Sequence, residues 1–583
     1  MGAQVVAPGT VEAGARNSYA DLLRTIAILG VVLGHWLVTA VVYRDGHLTG
    51  VDVLGVLPWT SWLTLLLQVV PLFFLVGGFA NAVSWERQIS GRSADGGQWA
   101  NWVRRRALRL LMPAAGYVIV IALAVVGCEI THVDAGDLSQ AAWGVALHLW
   151  FLAAYGILLV CTPILFAAHR RWSWRVPVVM AVLAVVIDAA VIELHWRLVG
   201  WANYLLVWGV FHQLGFAWHD GTFASWRRPA GLALVSSVTL AGLIWWGPYP
   251  VSMVGVPGAR IQNASPPSSA LLAFGLAQSG VVLTFEPAVR GWLVRHRRAQ
   301  AVTGVAGAFT MPVYLWHMVP VVLVAVVAYP GHLFSQPRIG SGTWWVQRVA
   351  WVVALAIVLV VVLAVLALVV RLGHLVYRRG RGPVPITPVS ITPVPMMLVP
   401  AGVVVSAVGL GRLAVNGFAP GGRLDPAPLV ALAIGTLLLH VAARPGLRVR
   451  SVGADSWHEP YLQHRDEDVR ERSDTQGIDD GAGADRAAHE ESDDQHGDFD
   501  HGAHHSDRMA ARGEAGHQTV ARSGTESGTD VTTGRQAVEC YRRNQDDDAQ
   551  RERMWRRYVR QHHVHDCPDR EDVRDGAESR PLP

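Results

Sequence analysis

Arg24 and His35 stand eleven residues apart in the first long apolar run, Tyr19-Ala-Asp-Leu-Leu-Arg-Thr-Ile-Ala-Ile-Leu-Gly-Val-Val-Leu-Gly-His-Trp. At ~100° per residue that spacing is about three turns, so both side chains lie on one helix face roughly 16 Å apart. Ionisable groups inside a membrane-length helix are costly to keep there and by default mark a functional site. A neutral imidazole is buried more cheaply than a guanidinium and exchanges a proton near neutral pH. His35 is therefore a candidate general base, and Arg24 a candidate partner for an anion or carboxylate. The structural alternative bonds His35 to a neighbouring helix carbonyl and lets Arg24 reach the interface.

Other groups could join them. Arg104-Arg105-Arg106-Ala-Leu-Arg109 opens the third apolar run. Arg105 and Arg109 are four apart and share a helix face, and arginine forks suit phosphates such as those of coenzyme A. Anchoring of positive charge on the cytoplasmic side accounts for the same cluster without a ligand. His148-Leu-Trp150-Phe begins the fourth run, and Tyr314-Leu-Trp-His317 lies in the ninth. Singly, these histidines fit packing as well as function; together with His35 they fall toward one leaflet. Gly77-Gly78 in the second run most simply permits close helix packing.

The elements that must position these groups are membrane helices. Hydrophobic residues make up 51% of the 583-residue chain and charged ones 16%, a balance normal for a polytopic membrane protein and unusual for a soluble one. A spanning helix needs ~20 mostly apolar residues. Such runs occur near 19–43, 61–84, 107–127, 143–168, 176–195, 200–218, 230–247, 269–288, 301–329, 344–374, 395–417 and 428–443. The expected fold is an all-α polytopic bundle of about ten to twelve transmembrane helices with a disordered C-terminal tail. Tryptophans recur at run ends, for example Trp62, Trp143, Trp201 and Trp245, where amphipathic rings sit at a bilayer interface.

The chain contains no lysine, so arginine alone reports orientation. Alternate loops carry it, at Arg104–Arg106, Arg170–Arg171, Arg227–Arg228 and Arg295–Arg298, which predicts a cytoplasmic N-terminus and tail in a multi-pass cell-membrane protein. The expected divisions are a main transmembrane bundle over 1–375, a proline-rich linker over 376–396, further transmembrane helices over 397–450 and a polar tail over 451–583. The tail mixes Asp, Glu, Arg, His and Gly with few large apolar residues, the composition of a disordered segment or of a frameshift product. Cys128, Cys161, Cys540 and Cys567 are too scattered for a disulfide framework or a metal motif. The run His489–His505 repeats no ligand spacing, and no metal site is expected.

In this ordered set the chain resembles the acyltransferase 3 family of integral-membrane acyltransferases. Arg24 and His35 match its first-helix pattern of an arginine, ten residues and a histidine. Phe73-Phe74 with Gly78-Phe79 resembles its Phe-Phe-x-x-Ser-Gly-Phe element, with Gly77 in place of the serine. Arg105-Arg106-x-x-Arg109 resembles its basic third-helix motif, and His148-Leu-Trp150-Phe and Tyr314-Leu-Trp-His317 resemble later signatures. The likeness covers roughly residues 15–375.

The resemblance implies transfer of an acyl group, often acetyl, from cytoplasmic acyl-CoA to a hydroxyl of a surface glycan, glycolipid or small molecule. His35 would deprotonate the acceptor or relay the acyl group, and Arg24 would orient the donor or stabilise charge. Arg105, Arg106 and Arg109 would hold the donor phosphates, while His148, Trp150, Tyr314 and His317 would line the substrate site. Acyl-CoA is then a co-substrate and no resident cofactor is expected. The partners are the donor, a carbohydrate, lipid or small-molecule acceptor and membrane lipids, not nucleic acid. A transporter is the rival class, because intramembrane Arg, His, Asp188 and Glu193 also suit an ion or substrate path. A membrane anchor for the tail is a third.

Overall fold

The first span, α1 (Ser18–Val38), starts on Asn17, whose side chain accepts from the N–H groups of Tyr19 and Ala20 and so caps the helix. The apolar run predicts helix as far as residue 43. In the computed structural model the helix stops at Val38, and β1 (Thr39–Arg44) pairs antiparallel with β2 (His47–Asp52). Asp45 and Gly46 take φ of 53° and 88°, the geometry that an Asp-Gly hairpin turn requires. Thr39, Val41, Val42 and Tyr43 are β-branched or aromatic and suit a strand. Apolarity alone does not separate such a strand from one more helical turn.

The structure describes residues 17–90, 98–380 and 393–442, all within one unit, Met1–Arg448. After the hairpin come short helices α2 (Val53–Val56) and α3 (Thr64–Leu67), then α4 (Val70–Ile89), α5 (Gln98–Ile130) and α6 (Ala135–Gly144). Next are α7 (Trp150–Trp172), α8 (Arg175–Glu193), α9 (Asn203–His219), α10 (Arg227–Trp245) and α11 (Ser269–Arg295). The bundle continues with α12 (Arg297–Trp316), α13 (Val319–Ala328), α14 (Gly342–Gly380), α15 (Pro393–Asn416) and α16 (Pro426–Val441).

Each of the twelve apolar runs is helical over most of its length. Among the described residues, nine helical segments are long and apolar enough to cross a membrane, or ten with the bent pair α12–α13 counted as one. At 17 and 16 residues, α9 and α16 fall short of that length. The protein is an all-α, multi-pass membrane bundle. The linker expected over 376–396 is narrower, because α14 runs to Gly380 and α15 starts at Pro393, proline being tolerated in a first turn. Residues 381–392 and the tail lie outside the described residues.

At the centre stands α9, buried on every side from Val207 to Trp218. A helix apolar all round belongs in such a place. It meets α4 backbone to backbone: a Cβ on Gly78 would strike the His212 carbonyl, and one on Gly215 would strike the Leu75 carbonyl and the Phe79 amide. Close packing is thus the structural role of Gly78.

The two ends of the bundle differ. At one, Glu86 of α4 pairs with Arg170 of α7 at 3.6 Å and His219 of α9 at 2.7 Å, while His169 meets Asp220 at 3.2 Å. At the other, the β-hairpin is held by Gln140, which accepts from the Gly50 N–H at 2.9 Å, and by Gln336, which bonds both backbone groups of Tyr43.

Candidate active site

His35 lies in the last turn of α1 and is fixed from two sides. The end of α1 leaves carbonyls without helical partners. Arg348 of α14 meets this need, with Nη2 donating to the carbonyls of Trp36 at 2.6 Å, Leu37 at 3.2 Å and Thr39. Its guanidinium, 5.3 Å from the Trp344 ring, is buried. Sequence reasoning missed Arg348, although an arginine six residues into an apolar helix is itself a signal.

The second fixture is a break in the ninth span. Pro312 and Pro320 flank the junction of α12 and α13, where the axis bends by 56°. His317 sits at this break. Its carbonyl accepts from the indole N–H of Trp36 at 2.7 Å, tying the break to α1.

Between these supports two imidazoles meet. His35 Nδ1 lies 2.7 Å from His317 Nε2, with the rings side by side and nearly coplanar at an interplanar angle of 11°. His317 Nδ1 lies 2.8 Å from the carbonyl oxygen of Tyr314. A carbonyl only accepts, so His317 Nδ1 carries the proton and its Nε2 holds a lone pair. That lone pair must in turn receive the proton on His35 Nδ1. In the neutral pair, therefore, the lone pair of His35 falls on Nε2, the nitrogen outside the chain of bonds.

His148, in the 3₁₀ turn Leu147–Leu149 before α7, stands edge-on to His317 at a centroid distance of 5.0 Å. It is 2% exposed, yet neither ring nitrogen makes a well-formed hydrogen bond among the described residues, although the Leu315 backbone approaches the ring. Its backbone is held by the Tyr314 hydroxyl, which donates to the His148 carbonyl. Tyr117 of α5 stands edge-on to the His148 ring at 5.8 Å and donates to the Val145 carbonyl at 2.6 Å.

A cavity of about 800 Å³ adjoins this cluster, and His35, His148 and Tyr314 line it. Most of its wall is apolar: Val31 and Val38 of α1, Phe73, Trp150, Val322 and the hairpin's Leu48 contribute. Asp52 and Asp137 stand in the wall near the hairpin. Burial pushes the Asp52 carboxyl up, against the opposing effect of the Leu54 and Gly55 amides.

The arginines are elsewhere. Arg24 pairs with Asp21 at 3.1 Å, one turn from the start of α1. Arg106 donates to Asn81 Oδ1 at 3.1 Å and to the Ala80 carbonyl at 3.2 Å, and feels the charges of Arg24 and Arg109. Arg105 and Arg109 are exposed, with Arg105 donating to Gln88 at 2.7 Å. None of these four lines the cavity. Rings fill the intervening level: Phe73 and Phe151 lie 5.5 Å apart, and Phe151 and Tyr314 5.6 Å apart. The structure thus brings His35, His148, Trp150 and Tyr314 to one cavity, with His317 bonded to His35 outside its lining, and groups the arginines separately.

The family's sequence pattern, described as an acyltransferase domain, matches residues 17–369, from the cap of α1 into α14. The chain belongs to the acyltransferase 3 family. No curated protein and no solved structure matches it. The matched region holds every histidine and arginine of the two clusters and excludes α15 and α16. Where the family's second-helix element carries serine, Gly77 faces Tyr155, and a Cβ there would lie 2.6 Å from the ring. Tyr155 fills the space that a serine side chain would need.

Proposed function

We propose that this acyltransferase moves an acyl group, acetyl by preference, from acyl-CoA to a hydroxyl acceptor, with His35 as the base. The bond from His35 Nδ1 to His317 Nε2 carries this reading, because it leaves His35 Nε2 unprotonated at the cavity. As the acceptor oxygen attacks the thioester carbonyl, Nε2 takes its proton and the ring becomes an imidazolium. The Nδ1–H bond to His317 then strengthens, as hydrogen bonds from charged donors do. Collapse of the tetrahedral adduct breaks the C–S bond, and the imidazolium returns the proton to the leaving thiolate. Proton transfer by a positioned base typically contributes 10²–10⁴-fold.

The donor approaches from the end bearing Arg24, Arg105, Arg106 and Arg109. On the positive-inside rule that end is cytoplasmic, as are the N-terminus and the tail. Its phosphates stay with the exposed Arg105 and Arg109, and the pantetheine arm passes the ring layer of Phe73 and Phe151 to reach His35.

The transporter reading loses one support. Asp188 has a structural part: its Oδ2 accepts from the Tyr249 hydroxyl at 2.7 Å and from the Ser269 N–H at 2.6 Å in the first turn of α11, and Glu193 is exposed at the end of α8. Full-length protein in vesicles, given labelled acetyl-CoA, tests the assignment. Free thiol and labelled ester appearing together support it; solute flux without acetyl-CoA consumption assigns the bundle to transport.

A further inference from the structure

The cavity beside His35 is a built site whose occupant can be read from its walls. It holds about 800 Å³, toward the upper end for a small-molecule site, and its lining is apolar except near the hairpin and the histidines. Among the described residues that line it none is an arginine, and the chain has no lysine, so no permanent cation faces a phosphate or carboxylate there. Its two charged positions are carboxylates, Asp52 and Asp137. The large side chains that are both lining and exposed, Leu63, Val133, Trp143 and Val326, are apolar and suit lipid better than water, while exposed Gln140 and Gly50 mark the hairpin side. Deep inside, His148 is buried with at least one ring nitrogen unsatisfied, the Leu315 backbone approaching the other. A buried polar group without a partner is costly, and a ligand hydroxyl beside His35 would supply one.

Resting on the acyltransferase reading, we propose that the acceptor is a hydroxyl-bearing amphiphile of largely apolar bulk and no negative charge, which enters from the membrane past those exposed apolar side chains. Its hydroxyl is oriented by His148 toward His35 Nε2, and its apolar body fills the cavity. A free glycan chain would leave its many hydroxyls unpaired against these walls, and an anionic lipid headgroup would face the carboxylates Asp52 and Asp137 with no arginine in the lining and with the nearby His47 already on Asp137 at 3.4 Å.

The test uses the full chain in phosphatidylcholine nanodiscs with three probes: dodecyl glucoside, dodecyl phosphoglycerol and maltoheptaose. Acetyl transfer from labelled acetyl-CoA is measured, together with photolabelling by a diazirine analogue of the alkyl glucoside. The glucoside should be the preferred acceptor, and its label should map to α6, α13 or the hairpin. Filling the cavity by Val322→Trp, or from the opposite wall by Ala141→Phe, should weaken labelling about tenfold, equivalent to ~1.4 kcal/mol, while thermal midpoints confirm folding. Preference for maltoheptaose or the anionic lipid, or labelling untouched in both folded variants, overturns the proposal. Cavity labelling with no transfer to any acceptor would instead retain the site and overturn the acyltransferase reading beneath it.

Discussion

His317 Nε2 lies 2.7 Å from His35 Nδ1 and is committed as an acceptor, because its own Nδ1 is held 2.8 Å from the Tyr314 carbonyl. One histidine thereby sets the tautomer of the other, the part a carboxylate plays toward histidine in a serine hydrolase triad. A group that only accepts should substitute better than one that cannot accept. His317→Ala should lower turnover by roughly 10²-fold, within the range for an acid–base group, and His317→Gln should recover part of it. Equal activity in the two variants, measured as labelled ester formed per minute, would assign His317 to packing alone.

Arg348 predicts a loss of stability rather than of chemistry. Arg348→Leu would leave carbonyls at the end of α1 without a donor, each costing about 1–3 kcal/mol when buried. Its thermal midpoint in detergent should fall, and Arg348→Lys should recover less than the full difference, since one ammonium does not reproduce the planar fork. An unchanged midpoint for Arg348→Leu would show that water replaces the cap.

At Gly77 the prediction concerns a pair. Restoring the family's serine by Gly77→Ser should destabilise the bundle by about 1–3 kcal/mol, the usual cost of overpacking, because Tyr155 occupies the space. Tyr155→Leu should relieve it, so the double variant should be more stable than Gly77→Ser alone. Additive losses would mean the two side chains do not compete.

These contacts separate what the sequence makes legible from what it hides. Apolar runs located every long helix among the described residues, since burial in lipid demands continuous hydrophobicity, and an arginine and a histidine eleven residues apart marked α1. The sequence also held the ingredients of the hairpin, Asp45-Gly46 between β-branched residues, but an apolar run reads alike as strand or helix. That His35 meets His317 depends on a bend between Pro312 and Pro320 and on Trp36 bonding across helices, and no local pattern encodes a contact over 282 positions. The rings of Phe73 and Phe151 that stand beside the route from Arg24 to His35 were hidden, because spacing along one helix says nothing of what neighbouring helices insert.

The hairpin of α15 and α16 lies outside the family match yet supports the turn bearing His148. It packs on α5 and α7; Gly417 closes on the Trp143 backbone and Gly422 on Ala135. Glu129 accepts from the Leu424 N–H at 2.5 Å. Truncation after residue 375 should therefore impair transfer even in protein that still reaches the membrane, whereas removal of residues 451–583 should leave it intact. Full activity after the longer truncation would make the added helices dispensable.

The most direct test of the account is the acetylation rate of His35→Ala beside the natural chain, in equal amounts of membrane-embedded protein with labelled acetyl-CoA. The account predicts a fall of about 10²–10⁴-fold with an unchanged thermal midpoint, the signature of a lost base in an intact bundle. Transfer continuing at the natural rate in His35→Ala would contradict it.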